Sequence, residues 1–504
     1  MLRSKAKLLP FAPKIQAFPP PFAPKPTVCP KLVQVIPCIW KPLCATGNFT
    51  KSIWHIIQLQ FYFMQIAIEK ILHFLANTLH IFTVVIASIC CGTATAQDST
   101  YSSYLKLNNE KLSSGNNNSF LIFDEAFYDN QLFLVTESHG YAKPHEIDAQ
   151  IFIQLNKKKG VRHYLAEMDY SQAYYLNKYL NTGNETFLSS IYEYWFSEVA
   201  QWGCKAGFEK WRTLYQYNTT LAKDKKIIVL GLDEAQDLNM NEKLIVELLA
   251  TVKYKNGTHL MLDSLTSFAS FNIGKDSTKA FKKFAKRIEA DMKVNEKGYQ
   301  KILKNQFFDV SFILRNIAEK RNREDRIFHN FNIFYKQFNL ADKKMYGFWG
   351  RFHGMLDSIN GGLSFSAMLK KSEPGLKDKI VTIPVFCVES ASMLPTKFLP
   401  AMAQQKGKIF TKSDMVNDDS FVYTVDGIKT LRKFVGKNEA VLFRLNGVSS
   451  PYHKGLNLVE SNSQFDKTFN WRGNKSAATS SYFQYVIVVS NSDWAVPYGD
   501  NNEK

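Results

Sequence analysis

Four apolar runs in this chain each end in titratable residues, and helix-patterned stretches separate them. The first, Gln131-Leu132-Phe133-Leu134-Val135, leads into Thr136-Glu137-Ser138-His139-Gly140. The second, Val161 to Ala166, ends at Glu167-Met168-Asp169, and the third, Lys226 to Gly231, at Asp233 and Glu234. The fourth, Lys344 to Phe348, leads into Gly350-Arg351-Phe352-His353. Two further runs follow, Ile380 to Phe386 and Tyr485 to Val489. Runs this short read as buried strands. Between the first two, Ile147, Ile151 and Leu155 share one helical face, and Gly160 supplies a stop. Helical patterns also fill 171–181, 186–203 and 207–223. Strands joined through helices need crossover connections. The expected fold class is therefore α/β, a largely parallel central sheet covered by helices, with a mostly helical insertion.

A chain of 504 residues can hold a large core and more than one lobe. Residues 1–63 form a Pro-rich and apolar leader that is expected to be disordered or not native. Ten of the 17 prolines fall in the first 50 residues. Residues 64–96 read as a signal peptide: Lys70 gives the charge, Ile81 to Cys91 the apolar run, and Ala94-Thr95-Ala96 the small-x-small site before Gln97. A retained membrane anchor is the rival reading. The product is then exported, periplasmic or extracellular, and meets a membrane only through an uncleaved leader. Residues 97–240 and 336–504 are expected to be the two halves of the α/β domain, with 241–335 a helical insertion or lid. In that insertion Phe281, Phe284, Ile288 and Met292 share one face, ringed by Lys282, Lys283, Lys286 and Arg287, as a solvated amphipathic helix requires.

The net charge of +18 is unevenly placed, because residues 1–96 carry nine basic residues and only Glu69 against them. No zinc-finger spacing or basic-aromatic interleaving accompanies it, so nucleic acid is not an expected partner. Only Cys204 and Cys387 follow residue 97. They form either one disulfide or two buried thiols.

Ligands of open parallel sheets gather outside the carboxyl ends of the strands, where helix N-termini add positive potential. Glu137, His139, Glu167, Asp169, Asp233, Arg351 and His353 all fall at such ends. His139 is the leading candidate, since an imidazole titrating near pH ~6.5 serves as a base at neutral pH once a carboxylate fixes its tautomer. Ser138 lacks a Gly-x-Ser-x-Gly elbow, which argues against a serine nucleophile. Two histidines with carboxylates also suit a divalent metal in principle. His145, His163 and His329 are read as structural or surface residues, and Trp195, Trp202 and Trp211 as core.

Taken in order, Thr136-Glu137-Ser138-His139-Gly140, Glu146, Val161 to Glu167, Val229-Leu230-Gly231-Leu232-Asp233, Arg323-Glu324-Asp325-Arg326-Ile327-Phe328-His329-Asn330 and Gly350-Arg351-Phe352-His353 resemble the erythromycin esterase family. Its superfamily also includes haem-binding ChaN and the Tiki-like metalloproteases. The resemblance implies hydrolysis of a small-molecule ester or lactone without a covalent intermediate. His139 takes a proton from water, and Glu137 and Glu167 orient or charge-balance the site. His353 and Arg323 hold the substrate or stabilise the oxyanion. Asp233, Arg351, Glu146 and Asp169 join Arg323 as substrate-facing candidates. No cofactor is expected. The alternatives are a metal-dependent Tiki-like hydrolase and a non-catalytic haem- or metal-binding protein of the ChaN type. Two departures bear on this: Thr136 stands where the family has Gly, and one residue rather than two separates the acid from the histidine.

Overall fold

The structure, a computed structural model, describes residues 99–113, 120–253, 275–372, 375–401, 404–464 and 466–500, with residue 263 and scattered positions between 64 and 78. The chain divides into two units, Met1–Cys91 and Gly92–Lys504. In the first, the described positions are helical and include exposed Ile71, Leu72 and Phe74. Among the described residues no helix is long and apolar enough to cross a membrane. The leader over 1–63, the apolar run, the cleavage motif and the five early cysteines lie outside the described residues.

Among the described residues of the second unit twelve strands form: β1 Asn109–Leu112, β2 Leu132–Glu137, β3 His163–Ala166, β4 Ile228–Gly231, β5 Met345–Gly350, β6 Ile380–Val388, β7 Ser392–Pro395, β8 Phe410–Ser413, β9 Tyr423–Val425, β10 Ala440–Arg444, β11 Ser461–Ser463 and β12 Tyr485–Ser490. Eight make one sheet in the order β1-β10-β12-β6-β2-β5-β3-β4. From β12 to β4 every pairing is parallel, and β10 runs antiparallel to both its neighbours. The parallel α/β sheet expected from the sequence is thus present. The antiparallel edge is a finding beyond that expectation.

Side-chain alternation along β2 explains why both faces are covered. Phe133 and Val135 enter one core with Tyr164, Tyr346 and Val385. Leu132 and Leu134 enter the opposite one with Leu165, Met345 and Phe331. Helices α1 Lys143–Lys159, α2 Tyr170–Thr182, α3 Glu185–Ser197, α4 Lys205–Thr219 and α5 Leu238–Ala250 close the first face, where Ile147, Ile151, Leu155, Trp211 and Leu214 are buried. Gly160 ends α1 at φ 65°, as its position after the last apolar residue predicts. Four more helices follow: α6 Lys275–Val294, α7 Glu296–Leu303, α8 Phe307–Ala318 and α9 Arg323–Gln337. Phe281, Ile288 and Met292 of α6 are buried with Val310 and Ile313 of α8, while Lys282, Lys283, Lys286 and Arg287 face solvent. Helix α9 lies on the second face through Ile327, Phe331 and Phe334. Its first residue, Arg323, is thereby delivered to the strand ends.

Candidate functional site

The site forms where β2, β3, β4 and β5 end side by side. Glu137 at the end of β2 is in register with Gly350 at the end of β5. The backbone then turns at Gly140, whose φ of 102° and near contact with the Met393 carbonyl exclude a side chain. The Gly140 carbonyl accepts from the N–H groups of Met393 and Ala495, both at 2.8 Å. Gln201 Nε2 donates to the carbonyl of His139 at 3.3 Å. The loop carrying His139 is therefore pinned from three sides.

Glu137 is buried and its Oε1 is bonded to His139 Nδ1. Its Oε2 has no hydrogen-bond partner. The His139 side chain retains 27% exposure, and its ring meets the Trp202 indole edge-on with centroids 5.1 Å apart. Burial presses the His139 pKa down, but the Glu137 carboxylate, with Glu167 behind it, overcomes this and lifts it above the ordinary 6.5.

Glu167 ties the remaining groups together. Its Oε2 accepts from the Gly350 N–H at 2.6 Å. Its Oε1 accepts from Arg323 Nη2 at 2.7 Å and lies 3.3 Å from His353 Nε2. Burial raises its pKa, but His353, His139 and Arg323 together hold the carboxyl well below the usual range. Arg323 also donates from Nε and Nη2 to the two oxygens of buried Asp233, at 3.0 and 2.5 Å. Arg323 thus engages Glu167 and Asp233 at once. His353 Nδ1 lies 2.8 Å from Glu324 Oε1. Burial opposes its protonation, but Glu167 and Glu324 push its pKa up to about 10, which makes it an imidazolium at neutral pH. A Cβ placed on Gly350 would lie 3.3 Å from His139 Nε2 and 3.5 Å from His353 Cδ2, so the two rings flank one glycine.

The other candidates are not in this cluster. Asp169 accepts from the backbone N–H groups of Gln172, Gln236 and Asp237, from Ser171 Oγ and from Asn241 Nδ2. It caps α2 and bolts the loop after β4 in place, so both oxygens are consumed internally. Arg351 is buried in a bidentate pair with Asp418 at 2.7 and 2.8 Å, and faces away from solvent. Glu146 pairs with Lys143 at 2.7 Å and lines a different groove of about 600 Å³ with Lys143, Glu209 and Asp493. The structure therefore does not bring these three, expected to face substrate, together with His139. Cys204 and Cys387 are separate buried thiols, not a disulfide.

Sequence reasoning passed over Glu324, although it sits beside Arg323 in the quoted motif. Trp195 and Trp211 are buried in the core as expected, with Trp202 packed against it; all three also line a cavity of about 60 Å³ with Glu137, His139, His145, Glu167 and Lys210. His163 conforms to its structural reading: burial, with Arg162 and Lys343 nearby, lowers its pKa to about 4, so it is neutral.

The donor set does not fit a divalent metal. The Arg323 guanidinium stands against both candidate donors, with Nη2 2.7 Å from Glu167 Oε1 and Nη1 3.2 Å from His353 Nε2. Among the described residues no three His, Cys, Asp or Glu side chains group so as to hold an ion.

No family model and no curated protein matches the chain. Among solved structures it is similar to a succinoglycan biosynthesis protein, with 15% identity and a TM-score of 0.53 over 79% of this chain and 98% of that one. It is similar to a Bacillus cereus protein, with 14% identity and a TM-score of 0.50 over 79% and 99%. An erythromycin esterase mutant in its open conformation gives 11% identity and a TM-score of 0.49 over 72% and 91%. The chain therefore shares its α/β fold with the first two of these proteins.

Proposed function

We propose that the protein hydrolyses an ester or lactone by water that His139 activates. The observation that carries this reading is the Glu137–His139 pair at a strand end: a buried carboxylate fixes Nδ1 and leaves the Nε2 edge beside Gly350 and the partly open rim. In that arrangement Glu137 sets the tautomer, and the neutral imidazole takes the proton of a water attacking the carbonyl. The imidazolium that results is stabilised by the same carboxylate. Arg323 and the protonated His353 supply fixed positive charge where the carbonyl oxygen becomes an oxyanion. Arg323 serves this role because 37% of its side chain remains exposed.

The test is a panel of aryl esters and lactones, assayed with and without chelator, on the wild type and His139→Gln. Turnover that is chelator-insensitive and lost in the variant supports the proposal. Full activity in His139→Gln removes it. Chelator-sensitive turnover would favour a metal hydrolase, and a Soret band after haem addition without turnover would favour a haem carrier.

A further inference from the structure

Helix α6 carries a strip of charge that the proposed chemistry leaves unused. Lys279, Lys282, Lys283, Lys286 and Arg287 recur at i, i+3, i+4, i+7 and i+8, so they share one face of the helix. All five are exposed. No acidic residue lies between 279 and 287. The acids that follow are engaged elsewhere: Glu289 pairs with Lys293, and Asp291 accepts from Tyr299 Oη and Asn295 Nδ2. Among the described residues no carboxylate pairs with any of the five cations. Like charges three or four positions apart repel across a helix surface. Lys279 stands in that relation to Lys282 and Lys283, Lys286 to the same two, and Lys283 to Arg287. Each pair disfavours the helix, whereas interspersed glutamates would stabilise it. Folding therefore does not account for the strip. An anionic partner does, because it relieves the repulsion on contact.

The opposite face fixes how the strip can be used. Phe281, Ala285, Ile288 and Met292 are buried with Val310 and Ile313, so α6 cannot turn an apolar side into a bilayer. Contact is limited to the cationic heads along a straight edge about 12 Å long, at 1.5 Å per residue. The strip holds no aromatic side chain on which a base could stack. Four of its five cations are lysines, which act as point charges rather than as planar forks reading one phosphate. Such a surface recognises charge density, not a shaped ligand. The positive field continues past the helix: burial lowers the His329 pKa, and Arg321, Arg315 and Lys293 lower it further against Glu319. We propose that α6 docks the folded chain on an anionic phospholipid surface, through headgroup phosphates and without insertion. The leader read over 64–96 would bring the chain to such a surface. The inference is independent of the ester-hydrolysis reading, since none of these residues belongs to that site.

The full-length protein and the variant K282Q/K283Q/K286Q are sedimented with vesicles of phosphatidylcholine, alone or mixed with phosphatidylglycerol. The leader is present in both proteins, so its contribution cancels. The wild type should prefer the anionic vesicles, and the preference should fade with added salt. Each neutralised lysine should weaken that binding about fivefold, so the triple variant should lose on the order of 100-fold. Anionic vesicles should also shield Lys279, Lys282, Lys283 and Lys286 of the wild type from acetylation. With repulsion removed, the triple variant should melt no lower than the wild type. Equal binding to both vesicles, wild-type binding by the triple variant, or unshielded α6 lysines overturns the proposal. So does tighter binding to duplex DNA than to anionic vesicles at equal phosphate, which would make nucleic acid the partner. A triple variant that melts well below the wild type would mean that the lysines serve the fold, and it overturns the proposal too.

Discussion

Glu167 accepts the backbone N–H of Gly350 at 2.6 Å, so the end of β3 is fastened to the end of β5 through a side chain rather than through the sheet ladder. The other oxygen of that carboxylate carries Arg323. One residue therefore fixes the spacing between the Glu137–His139 pair and the Arg323–His353 pair. Preorganisation of this kind lets charged groups act without reorganising during the reaction.

The first consequence concerns pH. A base must be unprotonated, and the His139 pKa is raised above 6.5 by Glu137 against the effect of burial. The rate should therefore rise with pH through a value above 6.5 and then level. Glu137→Gln removes the raising charge, so the limb should move to lower pH while kcat falls about 10²-fold or more. A kcat/KM profile of the two proteins on an active ester checks both directions.

Stability should respond to pH through His353. Its pKa rises from 6.5 to about 10 on folding, chiefly because Glu167 and Glu324 outweigh burial. Between those values the folded state holds a proton that the unfolded state has lost, so stability falls as pH rises. The contribution is fully present below 6.5 and gone above about 10. Urea unfolding from pH 6 to 10.5 should show this decline, and His353→Gln should flatten it.

Asp169 tests the separation of scaffold from site. Its removal strands three backbone donors and the side chains of Ser171 and Asn241. Asp169→Ala should cost about 2–4 kcal/mol from the lost cap and the unsatisfied donors. Where the variant remains folded, KM should stay near the wild-type value. A large rise in KM with unchanged stability would instead support the substrate-facing role.

Arg351 should behave likewise. Truncating one partner of a buried ion pair leaves an uncompensated charge and costs about 3–5 kcal/mol. Arg351→Met should therefore lower the melting temperature sharply, and Arg351→Met with Asp418→Leu should recover much of it, because the paired Asp418 is itself buried. Circular dichroism melts of the single and double variants suffice.

The parallel sheet was legible because each of its strands is a continuous apolar run, as burial on both faces demands. The edge strand β1, Asn-Glu-Lys-Leu, carries no such signal and is defined by pairing with β10. The acid–imidazole pair was legible as Glu-x-His because β2 ends there and both residues turn toward the same opening. Asp169 and Arg351 share that strand-end position, but their partners, Asn241 and Asp418, lie far along the chain, and only tertiary packing shows that they point inward. The tryptophans were legible as core, but a helical spacing identifies a buried face without revealing that a cavity lies beside it.

Gly350→Ala isolates geometry from chemistry. The φ of −55° at this position is open to alanine, so the backbone need not change. The new methyl would sit 3.3 Å from His139 Nε2 and 3.5 Å from His353 Cδ2, which displaces at least one ring by a few tenths of an ångström. Stability should change by no more than about 1 kcal/mol. Turnover should fall about 10-fold or more, because a small misplacement of a catalytic group is costly when rate depends on alignment. Both charged clusters persist in the variant, so the pH limb assigned to His139 should stay in place while its plateau drops. A limb that moves instead would mean that the methyl disturbs the Glu137–His139 bond, and an unchanged plateau would place the reacting atoms away from the gap that Gly350 keeps open.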